Sequence, residues 1–399
     1  MQMFLEMFSP LFGMGYKPWI MYIIGIVLIV LAIKKDYEPM LLLPIGFGAI
    51  LVNLPLSTVW EHDGSSGFLK TFYDAGIITE LFPILIFIAI GAMIDFTHLL
   101  SAPKMMLFGA AAQFGIFFTI IVAIWLGQNF SLFSDINPVV ASAIGVIGAA
   151  DGPTSIVVAA KFAPAQLGAI SVAAYSYMAL VPVIQPPVIR LLTTKKERLI
   201  RMELKDKKIS HTALVIFPVA ITIIAGLLVP ESASLVGSLM FGNLIRECGV
   251  LERLSKAAQN ELSNLVTLLL GITIGATMDA EQFLSGVTLG ILALGLVAFI
   301  FDTAGGVLFA KLLNLITPKN KVNPMIGAAG ISAFPMSSRI VQRMATEEDP
   351  TNFILMPAVS ANVSGQLASV VAGGMILSLV PKLFPEIYGA IEALARVMG

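Results

Sequence analysis

The chain has 399 residues, 57% of them hydrophobic and 12% charged, with a formal net charge of -1 and a mean hydropathy of +0.91. A chain this apolar cannot hide its side chains in one water-soluble core, which excludes an ordinary soluble enzyme and leaves an integral membrane protein. The lone Cys248 excludes an internal disulfide and a cysteine-built metal centre, and His62, His98 and His211 all fall outside the apolar runs, so no His/Cys metal cluster or Ser/His/Asp triad can be assembled.

Residues 1–17 carry Glu6 and Pro10 and lack a basic start leading to a small-residue cleavage site, so they read as an interfacial segment and not as a signal peptide. Apolar runs then predict membrane spans near 18–33, 39–53, 80–95, 104–126 and 168–190, a first unit covering 18–192. A second unit, 212–381, has spans near 212–230, 234–247, 262–279, 285–310 and 352–380, and a C-terminal segment, 382–399, follows. The stretch 234–247 is short for a crossing. Between Asn53 and Glu80 stand Glu61, Asp63, Asp74 and Glu80 against Lys70 alone, whereas Arg190 to Lys208 holds eight basic residues against three acids. The positive-inside rule places the basic loop, 193–211, in the cytoplasm and the acidic one outside. A nucleic acid or lipid headgroups would also suit a basic loop, but topology accounts for it without either.

The two units resemble each other. "IAIGAMIDF" matches "ITIGATMDA", aligning Gly91 with Gly275 and Asp95 with Asp279; "NPVVASAIG" matches "NPMIG", aligning Asn137 with Asn323; "GAADGPTS" matches "GISAFPMS", aligning Gly148 with Gly330 and Pro153 with Pro335. Upstream, "GFGAILVN" faintly echoes "MFGNLIRE". Several matches in one order at nearly constant separation indicate duplication. Five spans per unit is odd, so the repeats should be inverted. In each, one apolar segment interrupted by Gly and Pro is left over, 138–163 and 324–345. These are expected to be re-entrant helical hairpins, tolerated at membrane depth only inside protein or along a cavity. The expected fold is therefore an all-α membrane protein of about ten transmembrane helices in two inverted repeats, each with a hairpin whose tip lies near the midplane.

Asp151 at the first tip is the main chemical signal. A carboxylate at the bilayer centre costs about 2.5 to 3.5 kcal/mol on insertion scales, so it needs a partner or a task. Asp-Gly-Pro also makes turns in which the carboxylate bonds its own amides, so a structural cap is the plain alternative. Around the tips the available ligands are oxygens, among them Thr154, Ser155, Tyr177, Asn323, Ser332, Ser337, Ser360, Asn362 and Ser364. One carboxylate with neutral oxygens suits a hard monovalent cation, Na⁺ first and H⁺ second. Arg339, just past the second tip, could snorkel, pair with Asp302 or receive a carboxylate bidentately. Asp302, inside a span, is either a helix-packing partner or a second cation or proton site. Asp95 and Asp279 end their spans and are expected to be interfacial.

At these residues the chain resembles a known family. "GAADGPTSI", "AAYSYMALVPVIQPP", "MFGNLIRECGV", "NPMIGAAGISAFPMSSRIVQ" and "SANVSGQLASVVAGG" are similar to the membrane β subunit of the biotin-dependent, sodium-pumping decarboxylases of oxaloacetate, glutaconyl-CoA, methylmalonyl-CoA or malonate. The resemblance implies a bacterial cytoplasmic-membrane protein that decarboxylates carboxybiotin while exporting Na⁺ and consuming an external proton. Its partners would be a carboxyltransferase subunit, a biotin carrier, a small membrane γ or δ subunit and further copies of itself. It further implies that Asp151 is the central Na⁺ ligand and Tyr177 a second ligand or part of the proton path. Asn323, Gly327 and Ser332 would come from the second hairpin, Asn362 from the last span, and Arg339 would meet the carboxybiotin. The alternative on residues alone is a Na⁺- or H⁺-coupled carrier of a small carboxylate.

Overall fold

The computed structural model describes residues 15–35, 38–55, 58–62, 65–202, 209–318 and 320–398. Residues 1–14 of the expected interfacial segment and 203–208 of the basic loop lie outside the described residues. The described chain is all-α except for one antiparallel pair, Glu61–His62 with Ser65–Ser66, in the acidic loop.

All ten expected spans are helical. Five are long and apolar enough to cross a bilayer alone: Tyr16–Lys35, 103–129, His211–Leu228, Gly286–Ile316 and Leu355–Leu383. Two more arise as bent pairs, 68–78 with Leu81–Met93 at 61° and 164–179 with Val181–Leu192 at 68°. The other three, Pro39–Val52, Ala233–Glu247 and Ser263–Ala276, hold 14, 15 and 14 residues. At 1.5 Å per residue a 14-residue helix is roughly 21 Å long, short of the roughly 30 Å of hydrocarbon.

The short helices are paired crosswise between the two halves. Helix 39–52 lies on helix 263–276, and helix 81–93 on helix 233–247. Each crossing is a backbone-to-backbone approach that only glycine permits: a Cβ on Gly48 would fall 2.3 Å from Ile272 O, and one on Gly275 2.1 Å from Ile45 O. In the other pair a Cβ on Gly242 would fall 1.9 Å from Ile88 O, and one on Gly91 1.8 Å from Leu239 O. Gly91 aligns with Gly275 in the repeat and Gly48 with Gly242 in its fainter part, so exchanging the halves turns one contact into the other. In lipid, where apolar surface gains nothing by leaving one hydrocarbon for another, such small-residue contacts are what hold helices together. A π-helical turn, Tyr73–Ile78, precedes helix 81–93, and another, Ala258–Leu262, precedes helix 263–276, at matching positions of the repeat.

The segments left over from the count are broken helices. The first consists of Pro138–Val146, a single 3-10 turn Ile147–Ala149, and Gly152–Phe162. The break is made by Ala150 in the left-handed region, φ 53°, and by Pro153 at the second position of the next helix, where its missing N–H costs nothing. The second segment differs: its first arm is one turn, Met325–Ala328, and residues 329–335 are turn and irregular chain before helix Met336–Glu348 begins. Gly and Pro stand five apart in both tips; where Asp151 caps the helix after the first break through the Thr154 amide, the second has Ala333, which offers no side-chain cap. Asn137 and Asn323, equivalent in the repeat, cap the two segments: Asn137 Oδ1 accepts the amides of Val139 and Val140, and Asn323 Oδ1 that of Met325.

Candidate functional site

The two breaks touch. Ser332 N donates to Ala149 O at 2.9 Å, a backbone bond between the tips. Asp151, one residue past the left-handed Ala150, heads helix 152–162 and is 3% exposed. Its two oxygens have different duties. Oδ1 accepts the Thr154 amide at 3.3 Å, which makes Asp151 a helix cap. Oδ2 accepts Thr154 Oγ1 at 2.8 Å and Ser369 Oγ at 2.6 Å, and Ser332 Oγ lies 3.2 Å from Ser369 Oγ. The cap and the buried charge site are thus one residue.

Helix 355–383 closes the site from the side. Asn362, Gln366 and Ser369 stand at i, i+4 and i+7, one face of a helix with 3.6 residues per turn. Asn362 Nδ2 donates to Ile331 O at 2.7 Å and Gln366 Nε2 to Ser332 O, so both amides point their donors at the second tip. Their acceptors, Asn362 Oδ1 and Gln366 Oε1, are buried with no hydrogen-bond partner, as is Tyr175 Oη. The Tyr175 ring lies over the turn after Asp151: a Cβ on Gly152 would meet it at 2.1 Å and Oη at 2.6 Å. Buried acceptors left without donors are costly, about 1 to 3 kcal/mol each, and a bound cation offsets that cost. Among the described residues no group of three or more His, Cys, Asp or Glu could hold a metal. The oxygens at Asp151 are one carboxylate and neutral groups, the donor set of a hard monovalent cation.

Residues 17–380 match the family of the Na⁺-transporting oxaloacetate decarboxylase beta subunit. The chain belongs to that family. It is 44% identical to oxaloacetate decarboxylase beta chain 2 of Salmonella typhi over 93% of this chain and 96% of the relative. It is 45% identical to the methylmalonyl-CoA decarboxylase subunit beta of Propionigenium modestum, over 92% and 96%, and 49% identical to the glutaconyl-CoA decarboxylase subunit beta of Acidaminococcus fermentans, over 90% and 92%. As a beta subunit of this family it is a multi-pass protein of the bacterial inner membrane that works with partner subunits.

Of the residues expected at the site, Asp151, Thr154, Ser332 and Asn362 come together at the tips, with Ser155 Oγ donating to Asp151 O at 2.8 Å; the others lie elsewhere. Asn323 Nδ2 donates to Arg198 O at 2.8 Å and Ile200 O at 2.9 Å, so its amide ties the basic loop under the second broken helix. Gly327 is a crossing point, since a Cβ there would fall 2.0 Å from Gly306 O on helix 286–316. Tyr177 Oη donates to Leu292 O, and its ring lies against Gly295 beside Ile147 of the first tip's turn. Ser337 Oγ bonds Gln185 Oε1 and Ala328 O, and Ser360 Oγ and Ser364 Oγ bond Met356 O and Met106 O. Ser369, Gln366 and Tyr175 are in the site and absent from the expectation. The i, i+4, i+7 spacing from Asn362 was a usable signal for the first two; nothing in the sequence separates Tyr175 from Tyr177.

Arg339 and Asp302 are not a pair. Arg339 is exposed on helix 336–348, whereas Asp302 is 0% exposed and bonds the amide of Ile116 at 3.1 Å. Three arginines of the basic region pair with acids at the end of helix 336–348. Arg190 meets Glu347 at 3.1 Å, Arg198 Glu348 at 2.7 Å and Arg201 Asp349 at 2.7 Å, while Lys311 meets Glu197 at 3.2 Å. The Arg201 guanidinium, with help from Thr351, pulls the Asp349 carboxyl down to about 2. At the interfacial ends of two spans, Asp95 accepts the amide of Thr97 and meets Arg246 at 3.2 Å, and Asp279 accepts the amide of Glu281.

Proposed function

We infer that the chain is the carboxybiotin decarboxylase and Na⁺ translocator of a sodium-pumping decarboxylase complex. Carboxybiotin from a partner takes up a proton and leaves as biotin and CO₂, and the reaction drives Na⁺ outward against its gradient. The observation that carries the reading is Asp151, buried without a cationic partner among the described residues and bonded by Ser369 of helix 355–383, whose Asn362 and Gln366 keep orphaned acceptors, Oδ1 and Oε1, while bonding the second tip. Na⁺, the transported substrate, fits between these oxygens, with Ser369 and Ser332 completing the polar wall. Tyr177 and Tyr175 are the hydroxyls placed to relay a proton along the first tip. Asn323 and Gly327 position the second tip without touching the ion.

Ten spans in two inverted repeats fit the crosswise glycine contacts and the matched π turns, with 138–163 and 324–345 as hairpins reaching the middle of the bilayer from opposite sides. Movement of the paired tips against helices 286–316 and 355–383 would open Asp151 to one side and then the other. Export of one charge costs roughly 2.3 kcal/mol per 100 mV, so one decarboxylation can drive only a few ions. Arg339, exposed beyond the second tip, offers a guanidinium fork that matches a carboxylate, as a site for carboxybiotin requires. Partners of this kind are a carboxyltransferase subunit, a biotin carrier protein or domain and a small membrane γ or δ subunit, with more than one copy of this chain in the complex. The relatives act by name on three different substrates at similar identity, as expected if another subunit chooses the substrate. Their names favour this reading over a Na⁺- or H⁺-coupled carrier.

The test is radiosodium uptake by inverted proteoliposomes holding the purified complex. Uptake should require the decarboxylated substrate and stop on addition of avidin. Uptake indifferent to both would overturn the reading.

A further inference from the structure

A second buried carboxylate stands outside the site at Asp151. Helix 103–129 is interrupted at Gln113, between Met106–Ala112 and Phe114–Asn129, and Ile116 N, near the start of the second piece, has only a turn carbonyl, Gln113 O at 3.2 Å, within the chain's own backbone. Asp302, in the middle of helix 286–316, answers that break with Oδ1, which accepts Ile116 N at 3.1 Å; a Cβ on Gly115 would meet the same oxygen at 2.4 Å. The other oxygen has nothing. Asp302 Oδ2 is buried without a hydrogen-bond partner, and its neighbours are apolar: a Cβ built on Gly148 would lie 2.7 Å from it and 2.8 Å from Ala298 Cβ. Gly148 belongs to the 3-10 turn of the first tip, directly before Ala149, whose carbonyl receives Ser332 N.

Among the described residues no positive charge compensates Asp302. Of the elements packed on helix 286–316, 106–112, 114–129, 131–133, 138–146, 147–149 and 325–328 carry no ionisable side chain. Segment 167–179 brings Tyr177, bonded to Leu292 O, and Tyr175, beside Gly152; segment 181–192 brings Arg190, paired with Glu347. On its own helix, Lys311 is held by Glu197 and Leu192 O. Asp151, three residues beyond Gly148, is engaged by Thr154 and Ser369. An uncompensated carboxylate in such a place costs several kcal/mol, and a bare metal cation needs about six oxygens that Oδ2 does not have around it. A proton needs only one.

We propose that Asp302 is a proton-binding site of the transporter, separate from Asp151, with the proton on Oδ2 while Gly148 covers it. Only displacement of the first tip uncovers Oδ2, so proton exchange there follows the same movement that opens Asp151. That last link rests on the alternating tip of the proposed function; the protonated state does not. Occupancy of Asp302 then reports which way the tip faces, and a proton taken up there from one side is returned to the other.

The experiment is infrared difference spectroscopy of the purified complex in lipid, Na⁺-loaded against Na⁺-free. A carboxylic-acid carbonyl band is expected in the wild type, absent in Asp302→Asn and present in Asp349→Asn, a control remote from the tips that leaves the Na⁺ site intact. A band unchanged in Asp302→Asn overturns the proposal, as does loss of an ionised-carboxylate band in its place, the sign of a metal cation at Asp302. Where Asp302→Asn does not assemble, Asp302→Glu must shift the acid band, and an unshifted band overturns the proposal equally. Failure of avidin to block Na⁺ uptake would remove the proposed function while leaving the band assignment to stand or fall alone.

Discussion

Ser369 Oγ lies 2.6 Å from Asp151 Oδ2, so the last long helix reaches the first tip through a hydroxyl that donates to a buried carboxylate. Hydrogen bonds to charged groups are worth about 1.5 to 3 kcal/mol, and this one also holds the orientation of the carboxylate that Thr154 sets from the other side. Ser369→Ala should raise the Na⁺ concentration for half-maximal decarboxylation by roughly tenfold or more, since about 1.4 kcal/mol is a factor of ten. The measurement is Na⁺-dependent turnover of the complex. An unchanged Na⁺ requirement would remove Ser369 from the site.

The orphaned acceptors make a similar prediction with a built-in control. Asn362→Ala and Gln366→Ala should each weaken Na⁺ dependence, whereas Asn323→Ala should leave it near the wild-type value and lower thermal stability by about 1 kcal/mol, since the carbonyls of Arg198 and Ile200 keep the longer bonds from Asn352 Nδ2. Thermal melts read alongside Na⁺ titrations separate the two effects. Asn323→Ala with intact stability and a lost Na⁺ response would return that residue to the ion.

Two tyrosines two residues apart divide differently from the expectation. Tyr175 Oη is buried without a partner, so a purely structural Tyr175 would tolerate phenylalanine or gain stability from it. We expect Tyr175→Phe to keep its melting temperature and to shift the pH profile of Na⁺-dependent turnover. Tyr177→Phe removes a bond to Leu292 O and should lower stability as well. A Tyr175→Phe enzyme with the wild-type pH profile would refute the assignment.

At the basic loop, Arg201 holds the Asp349 carboxyl down to about 2, below its ordinary value near 3.9. A carboxylate whose folded value is depressed contributes its stability fully above the unfolded value and loses it as pH falls through the folded one, here between roughly pH 4 and pH 2. Limited proteolysis of the basic loop should therefore speed up across that interval in the wild type. Asp349→Asn should cut at the faster rate already at neutral pH, with no further rise of its own.

Arg339 tests the carboxylate end of the chemistry. Arg339→Lys keeps the charge and loses the planar fork, so turnover of free carboxybiotin should fall at least tenfold while Na⁺ binding measured without substrate is unaltered. Equal loss of both would place Arg339 in the architecture of the tips, away from the substrate.

The class of the protein was legible in the chain alone. Composition and run length determine an all-α membrane protein, because polar backbone in lipid must bond to itself and a 57% hydrophobic chain has no other solvent. The repeat, the two interrupted segments and the charge at Asp151 were equally plain, since each is a local departure from an otherwise uniform apolar text. The resemblance named Ser332 and Asn362, and both lie at the tips, Ser332 Oγ 3.2 Å from Ser369 Oγ and Asn362 Nδ2 on Ile331 O. What the sequence could not decide was facing. Asn323 carries the same oxygen as Asn362, yet one binds the loop and the other the tip, and Tyr175 and Tyr177 differ only in a rotation of two helical positions. Facing depends on where a helix is broken and on what crosses it at a glycine, and those contacts join residues two hundred positions apart. Tertiary structure alone decided that Asn362 and Gln366 bond the second tip while Ser369 bonds Asp151, and that Asp302 Oδ2 meets the back of the first tip with no partner.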